Sequence, residues 1–152
     1  MPQVIFYQLS SSDNGVAGRA SEVIASAYAN KQKISVLCDT QAQAEQVDEL
    51  LWQLPSNRFV PHNLYGEGPQ TGTPVEICWQ PQQVARRQMV VNVGSGMVPS
   101  PNQHRQIIDF VPVDENAKQA ARVRYKNYQQ AGCNMQFKSA KAIRVQLQFE
   151  SV

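Results

Sequence analysis

The 152-residue sequence predicts a single-domain α/β protein with a mostly parallel sheet flanked by helices. Its first half alternates strand-like and helix-like segments, which is the order typical of parallel sheets covered by helices. The stretch ISVLCD at 34–39 is a short continuous apolar run, as expected for a strand buried on both faces. A chain of this length can bury roughly two-thirds of its unfolded surface in one core.

The first half contains two predicted strands and two predicted helices. A strand is expected over 3–9, where QVIFYQL is rich in β-formers. A helix over 16–30 follows, because apolar residues recur there on one helical face. After the strand at 34–39, Thr40 with Gln43 three residues on resembles a capping box. It opens a second helix, which Pro55 is expected to end.

The second half contains short strands and one long helix. The strands are predicted over 74–79, 88–93 and 106–111. The helix is expected to run from its N-cap Asp114 to about Ala131, with Gly132 just past its end. We predict that residues 1–134 form the domain. Residues 135–152 then form a C-terminal extension that is either an edge strand or a mobile tail.

Composition and cysteine spacing exclude several classes of protein. Hydrophobic residues make up 42% and charged residues 17%, which is typical of a globular chain, and the net charge of +2 does not by itself indicate nucleic-acid binding. Cys38, Cys78 and Cys133 form no CxxC pair, so no metal site or redox motif is predicted. We expect a reduced, cytoplasmic location, without signal peptide or membrane span.

The glycine-rich loops do not match nucleotide-binding motifs. Gly66, Gly68 and Gly72 give GxGxxxG followed by a strand, whereas a dinucleotide site needs GxGxxG before a helix. The GSG at 94–96 also precedes no helix, and no Walker motif is present. We therefore predict scaffold turns, no cofactor and no catalytic residues. His62 is expected to hydrogen-bond its own loop rather than act as a base.

The last helix carries the most informative pattern, a basic row that surrounds one tyrosine. At 100° per residue its members fall within a sector about 100° wide. They are Lys118, Arg122, Tyr125, Lys126 and Gln129. No acidic residue lies between the first and last of them, and the stem of Arg124 is expected to extend along the neighbouring packing stripe with its charge in solvent. The row is compatible with an ordinary solvated face, a site for an acidic peptide with an apolar end, or a single-stranded nucleic-acid site.

Trp52 and Phe59 form a second candidate feature, on either side of the segment QLPSNR. One interpretation places both side chains in the core. The other makes them a paired aromatic anchor for a partner, because large aromatic side chains beside a rigid turn are typical binding hot spots.

Four segments together resemble a known family. FVPHNLYGEGPQTGTPVEICW, ARRQMVVNVG, IIDFVP and KQAARVRYKNYQQAGCN are similar to the chi subunit family of the bacterial DNA polymerase III holoenzyme, in the same order along the chain. The resemblance implies a single α/β domain with Rossmann-like topology and no nucleotide chemistry. It also implies a non-catalytic adaptor in the clamp-loader complex, which binds the psi subunit and the acidic C-terminal tail of single-stranded-DNA-binding protein (SSB). Contact with DNA would then be indirect, without a cofactor, a metal or a membrane.

The resemblance also assigns residues. The family's SSB-tail-binding positions fall on Val111, Lys118, Arg122, Tyr125 and Lys126. The psi contact falls on Phe59 and Trp52. The alternative function, which the basic row leaves open, is direct binding of single-stranded nucleic acid by the last helix.

Overall fold

The structure, a computed structural model, describes residues 2–54, 59–70 and 72–143. These residues contain seven strands, three α-helices of 12 residues or more, and two short 3-10 helices, Pro81–Gln83 and Pro101–Gln103. In chain order the strands and α-helices are β1 (Gln3–Gln8), α1 (Gly15–Ala29), β2 (Ile34–Leu37), α2 (Gln41–Trp52), β3 (His62–Leu64), β4 (Val75–Cys78), β5 (Met89–Asn92), β6 (Gln106–Val111), α3 (Glu115–Gln130) and β7 (Asn134–Ser139). Each predicted helix and strand is present, with ends shifted by one or two residues.

The strands form one sheet in the order β3-β4-β2-β5-β6-β1-β7, and every pair of neighbours is parallel. The predicted α/β class with a mostly parallel sheet is thus confirmed. All residues of β2 and β5 are buried, which explains the continuous apolar run at the first of them.

Helices cover both faces of the sheet, and the alternation of β1 shows how. Ile5 and Tyr7 join the core that contains α1 and α2, whereas Val4 and Phe6 join a second core under α3. Side chains alternate between faces along a strand, so consecutive apolar residues supply both cores. One face of α3 is therefore buried, and its opposite face is left for solvent.

The start of α2 confirms the predicted cap. Thr40 Oγ1 accepts a hydrogen bond from the backbone N–H of Gln43 at 3.1 Å. In return Gln43 Oε1 accepts from the backbone N–H of Asp39 at 2.7 Å, one residue earlier than in an ideal capping box. The helix ends at Trp52, and the predicted stop Pro55 lies outside the described residues.

Both predicted ends of α3 are also confirmed. Asp114 Oδ2 accepts from the backbone N–H of Ala117 at 3.0 Å, which satisfies one of the free donors of the first turn. At the other end Gly132 has a φ of +89°, a left-handed conformation that glycine adopts without the penalty of a Cβ atom. The helix is thus fixed at residues 115–130.

Two strands, β3 and β7, were not specified by the sequence patterns. β3 was not predicted, because HNL is three residues long, lies in a loop rich in proline and glycine, and has no apolar alternation. β7 forms the sheet edge beside β1, across the predicted domain boundary, in the segment for which an edge strand and a mobile tail were both open. Residues 144–152 lie outside the described part of the chain, and the division at residue 134 stays a prediction.

Candidate functional site

A cleft of about 520 Å³ lies between α3, the ends of β1 and β6, and the edge strand β7. Its floor is apolar and its α3 rim is basic. The lining residues are Phe6, Gln8, Val111, Lys118, Gln119, Ala121, Arg122, Val123, Tyr125, Lys126 and Phe137. Gln8 and Val111 are the last residues of β1 and β6, so the cleft opens at the carboxyl edge of the parallel sheet. Ligands of open α/β sheets bind preferentially at this edge.

All five residues that the family resemblance assigns to binding of the SSB tail line this cleft. Val111 is buried and forms part of the floor, whereas Arg122 and Lys126 are exposed on the rim and Lys118 is half-buried. Within the described residues, none of these three cations has an ion pair or a side-chain hydrogen bond. Their charge is thus available to an anionic ligand.

Tyr125 is fixed from below by an aromatic contact. Its ring centroid lies 5.2 Å from that of Phe6, with the planes tilted by 57°, and the residue is half-buried. A tilted arrangement at this distance is favourable for two aromatic rings. Because one side of the Tyr125 ring packs against β1, the residue acts as a wall of the cleft more than as an open stacking platform.

Six lining residues were not assigned to the site from the sequence: Phe6, Gln8, Gln119, Ala121, Val123 and Phe137. Phe137 is 58% exposed and belongs to β7, in the segment that the sequence left as a possible tail. It reaches the cleft because β7 pairs with β1 in a register that sets Phe137 opposite Phe6. The sequence left residues 135–152 as either an edge strand or a mobile tail, and nothing local in it specifies the partner strand.

The prediction for Arg124 was wrong. Its guanidinium does not reach solvent but turns inward, where Nε and Nη2 donate to Oδ2 and Oδ1 of Asp109, both at 3.0 Å. Nη1 donates to the carbonyl oxygen of Ser95 at 2.9 Å, and Nη2 also to that of Phe110 at 3.2 Å. This two-point ion pair is almost fully buried and ties α3 to β6.

Asp109 is held by further donors. The amide of Asn92 donates to Oδ2 at 3.1 Å, and the backbone N–H of Phe110 donates to Oδ1 at 2.7 Å. Complete burial raises the pKa of Asp109, and the charge and hydrogen bonds of Arg124 oppose that rise. Arg124, Asp109 and Asn92 are not among the residues that line the cleft. Their network is therefore a structural anchor for α3, the helix that carries the basic row.

Trp52 and Phe59 lie together on a different part of the surface. Their ring centroids are 5.8 Å apart, and the residues are 57% and 50% exposed, so the interpretation that places them in the core is wrong. Trp52 also packs on His62, with ring centroids 4.8 Å apart. His62 is itself held by Nδ1 at 2.7 Å from the carbonyl oxygen of Val60, as predicted for a loop-bonded histidine. We call Trp52 and Phe59 the aromatic pair.

The glycines of the loop at 66–72 have conformational and steric roles. Gly66 and Gly72 have φ values of +87° and +79°. At Gly68 a Cβ atom would lie 2.5 Å from Cγ and Oδ1 of Asn63, whose amide donates to the carbonyl oxygen of Leu64 at 2.8 Å. The glycine pattern is therefore explained by the turn itself.

Substitution of Gly68 by alanine is expected to lower the free energy of unfolding by about 1–3 kcal/mol, because the new methyl group overlaps the Asn63 side chain. Urea denaturation followed by circular dichroism measures this. Gly96→Ala is the matched control, since nothing lies within 4 Å of its Cβ position and the same substitution there should change stability little. Equal effects at the two positions would contradict the steric explanation.

The described residues also show how the cysteines and the possible metal ligands are placed. No group of three or more His, Cys, Asp or Glu side chains within them could hold a metal ion. Cys38 and Cys78 are buried, and burial raises the pKa of each thiol to about 12. Nor does any helix in this part of the chain have the length and apolar character needed to cross a bilayer.

Comparison with known proteins identifies the family. The family model described as DNA polymerase III chi subunit, HolC, matches residues 1–136. The DNA polymerase III subunit chi of Escherichia coli K12 is 38% identical over 115 residues, which cover 75% of this chain and 78% of that protein. The subunit chi of Haemophilus influenzae Rd is 40% identical over 117 residues, or 76% of this chain and 81% of the relative. That of Pseudomonas aeruginosa PAO1 is 27% identical over 143 residues, or 90% and 95%.

The structure is thus an α/β fold with a basic cleft at the carboxyl edge of its sheet and an exposed aromatic pair. The chain belongs to the DNA polymerase III chi subunit family. It is accordingly a subunit of the DNA polymerase III complex with an accessory role in replication.

Proposed function

We propose that this chi-family protein is a non-catalytic adaptor with two binding surfaces. The cleft beside α3 binds the acidic C-terminal tail of SSB, and the aromatic pair binds the psi subunit of the clamp loader. The observation that carries the proposal is the cleft, where three cations without partners in the described chain border an apolar floor.

The chemistry of the cleft suits an acidic peptide with an apolar end. The guanidinium of Arg122 can hold a carboxylate through two parallel hydrogen bonds, while Lys118 and Lys126 add point charges on either side. Val111, Phe6 and Phe137 supply a floor and a wall for an apolar side chain. A ligand that carries both features gains from the rim and the floor at once.

Direct binding of single-stranded nucleic acid by α3 is the alternative. Such binding combines phosphate contacts with bases stacked on exposed aromatic rings. Tyr125 is the aromatic residue within the basic row, and it is half-buried against Phe6. The geometry of Tyr125 therefore favours the peptide over the nucleic acid.

Fluorescence anisotropy with a labelled tail peptide tests the cleft. We expect binding that is lost when the last few residues of the peptide are removed, and a modest dependence on salt. Binding of bare single strands to the α3 face, with the steep salt dependence of many neutralised phosphates, would instead favour the alternative.

Phe59→Ala is expected to weaken psi binding by ~2 kcal/mol or more, because an exposed aromatic that becomes buried at an interface is a typical hot spot. Because Phe59 is half exposed, the variant should stay folded, and tail binding should not change. Isothermal titration with purified psi measures the effect.

Phe137→Ala is the matched control for this prediction. It removes a similarly exposed ring from the cleft, so it should weaken tail binding and leave psi binding intact. If Phe59→Ala left psi binding at the wild-type level in a folded protein, the aromatic pair would not be the psi surface.

A further inference from the structure

A second basic surface lies at the opposite edge of the sheet. Lys31, Lys33, Arg86 and Arg87 line, with Gln88, a shallow depression of about 320 Å³. We call these four cations the amino-edge patch. Lys33 precedes β2 and Gln88 precedes β5, so the patch lies where parallel strands begin, whereas the cleft beside α3 lies where they end.

The cations of this patch are not neutralised within the described chain. None of the four forms an ion pair there, and no carboxylate lines the depression. Lys31, Lys33 and Arg86 are exposed. Arg87 is half-buried, and its Nη1 donates to the carbonyl oxygens of Ile34 at 3.0 Å and Pro74 at 2.9 Å, which fixes its position without cancelling its charge.

We propose that the amino-edge patch binds the phosphodiester backbone of duplex DNA. The net charge of the chain is only +2, so the molecule as a whole has little attraction for a polyanion, and any attraction must be local. Four cations that line one depression suit repeated phosphates, because each neutralised phosphate releases its counterion on binding.

The residues that are absent from the patch decide the type of polyanion. Among the described residues, no aromatic or large apolar side chain lines the depression. It therefore offers neither a stacking platform for single-stranded bases nor a pocket for the apolar anchor of a peptide. Binding through phosphates alone is independent of sequence and suits the backbone of a duplex. A subunit of a DNA polymerase complex works where such a duplex is present.

The test uses two variants of equal charge. Lys33→Glu/Arg86→Glu reverses two exposed cations of the amino-edge patch, and Lys118→Glu/Arg122→Glu makes the same change in charge on α3. Arg87 is left intact because it bonds backbone carbonyls, and Lys31 because its φ of +63° is sensitive to substitution. Anisotropy of a labelled 30-base-pair duplex is measured over a series of salt concentrations.

We expect wild-type protein to bind the duplex at low salt with a slope of log K against log salt of about −3 to −4. The amino-edge variant should bind at least tenfold more weakly, with a slope reduced by about two, while the α3 variant stays within about threefold of wild type. Equal losses in both variants, a loss only in the α3 variant, or no wild-type binding would overturn the proposal.

The preference of the amino-edge patch for one kind of polyanion is tested separately. This test uses the α3 variant, because the variant removes the cleft as a competing site. Polyglutamate with the same number of charges, or single-stranded DNA of the same length, should bind more weakly than the duplex. Tighter binding of either would overturn the assignment to duplex DNA. Tail and psi binding by the amino-edge variant should match wild type, so failure here is distinguishable from failure of the proposed adaptor function.

Discussion

Arg124→Met is expected to lower the free energy of unfolding by about 3–5 kcal/mol, the largest effect of any single substitution proposed for this chain. Removal of one member of a buried ion pair leaves the other charge without compensation in a medium that solvates it poorly. The side chains of Arg124 and Asp109 are 6% and 1% exposed, and the variant loses both bonds of the pair. Urea denaturation followed by circular dichroism measures the change.

The destabilisation should depend on pH with a defined sign. Burial raises the pKa of Asp109, and without Arg124 the main opposing charge is gone. A group whose pKa is raised in the folded state favours folding at pH values below its unfolded pKa, and this contribution is lost as pH rises through the folded value. The deficit of the variant relative to wild type should therefore shrink as the pH is lowered toward the ordinary carboxyl range.

Arg122→Met is the matched control, because it makes the same substitution on the same helix at an exposed position. It should change stability by no more than about 0.5 kcal/mol. Equal destabilisation by the two substitutions would mean that the buried pair of Arg124 and Asp109 adds nothing to the free energy of unfolding beyond what an exposed arginine adds. A stable Arg124→Met protein whose tail binding is lost would instead assign Arg124 a direct role in the cleft.

Local patterns were sufficient for most of the fold. Burial on both faces makes β2 a continuous apolar run, and side-chain caps at Thr40 and Asp114 mark where two helices begin. Each of these signals lies within a few residues of the structure it specifies. β3 had no such signal, since its three residues are held in place by pairing with β4 rather than by their own sequence.

The candidate site also contains residues that a local pattern predicts and residues that it does not. The basic row of α3 could be predicted because helical spacing alone brings Lys118, Arg122 and Lys126 to one face. Phe137 could not, because it reaches the cleft through pairing with a strand about 130 residues earlier in the chain. Nor could the inward turn of Arg124, whose partner Asp109 lies on another element. An arginine without a visible partner is expected at the surface.

Arg122→Ala is expected to weaken binding of the acidic SSB tail about ten- to hundredfold. The loss corresponds to ~1.5–3 kcal/mol, the range for hydrogen bonds to a charged group. Arg122 lies at the centre of the basic row and lines the cleft. Within the described residues its side chain has no ion pair or hydrogen bond, so its guanidinium is free to bind a carboxylate through two hydrogen bonds. Arg122→Lys keeps the charge but not the planar fork, and should also weaken binding, though less. Anisotropy of a labelled tail peptide at two salt concentrations measures both.

Two controls separate a local contact from general charge and from loss of fold. Arg86→Ala removes the same charge at the opposite edge of the sheet and should leave tail binding near wild type. Phe137→Ala should weaken binding with little dependence on salt, because it removes apolar contact and no charge. Tyr125 is less suitable for this purpose, since its packing on Phe6 couples its loss to stability. Wild-type affinity in a folded Arg122→Ala protein would place the tail site away from α3, because no other rim cation offers a two-point contact to a carboxylate among the residues that line the cleft.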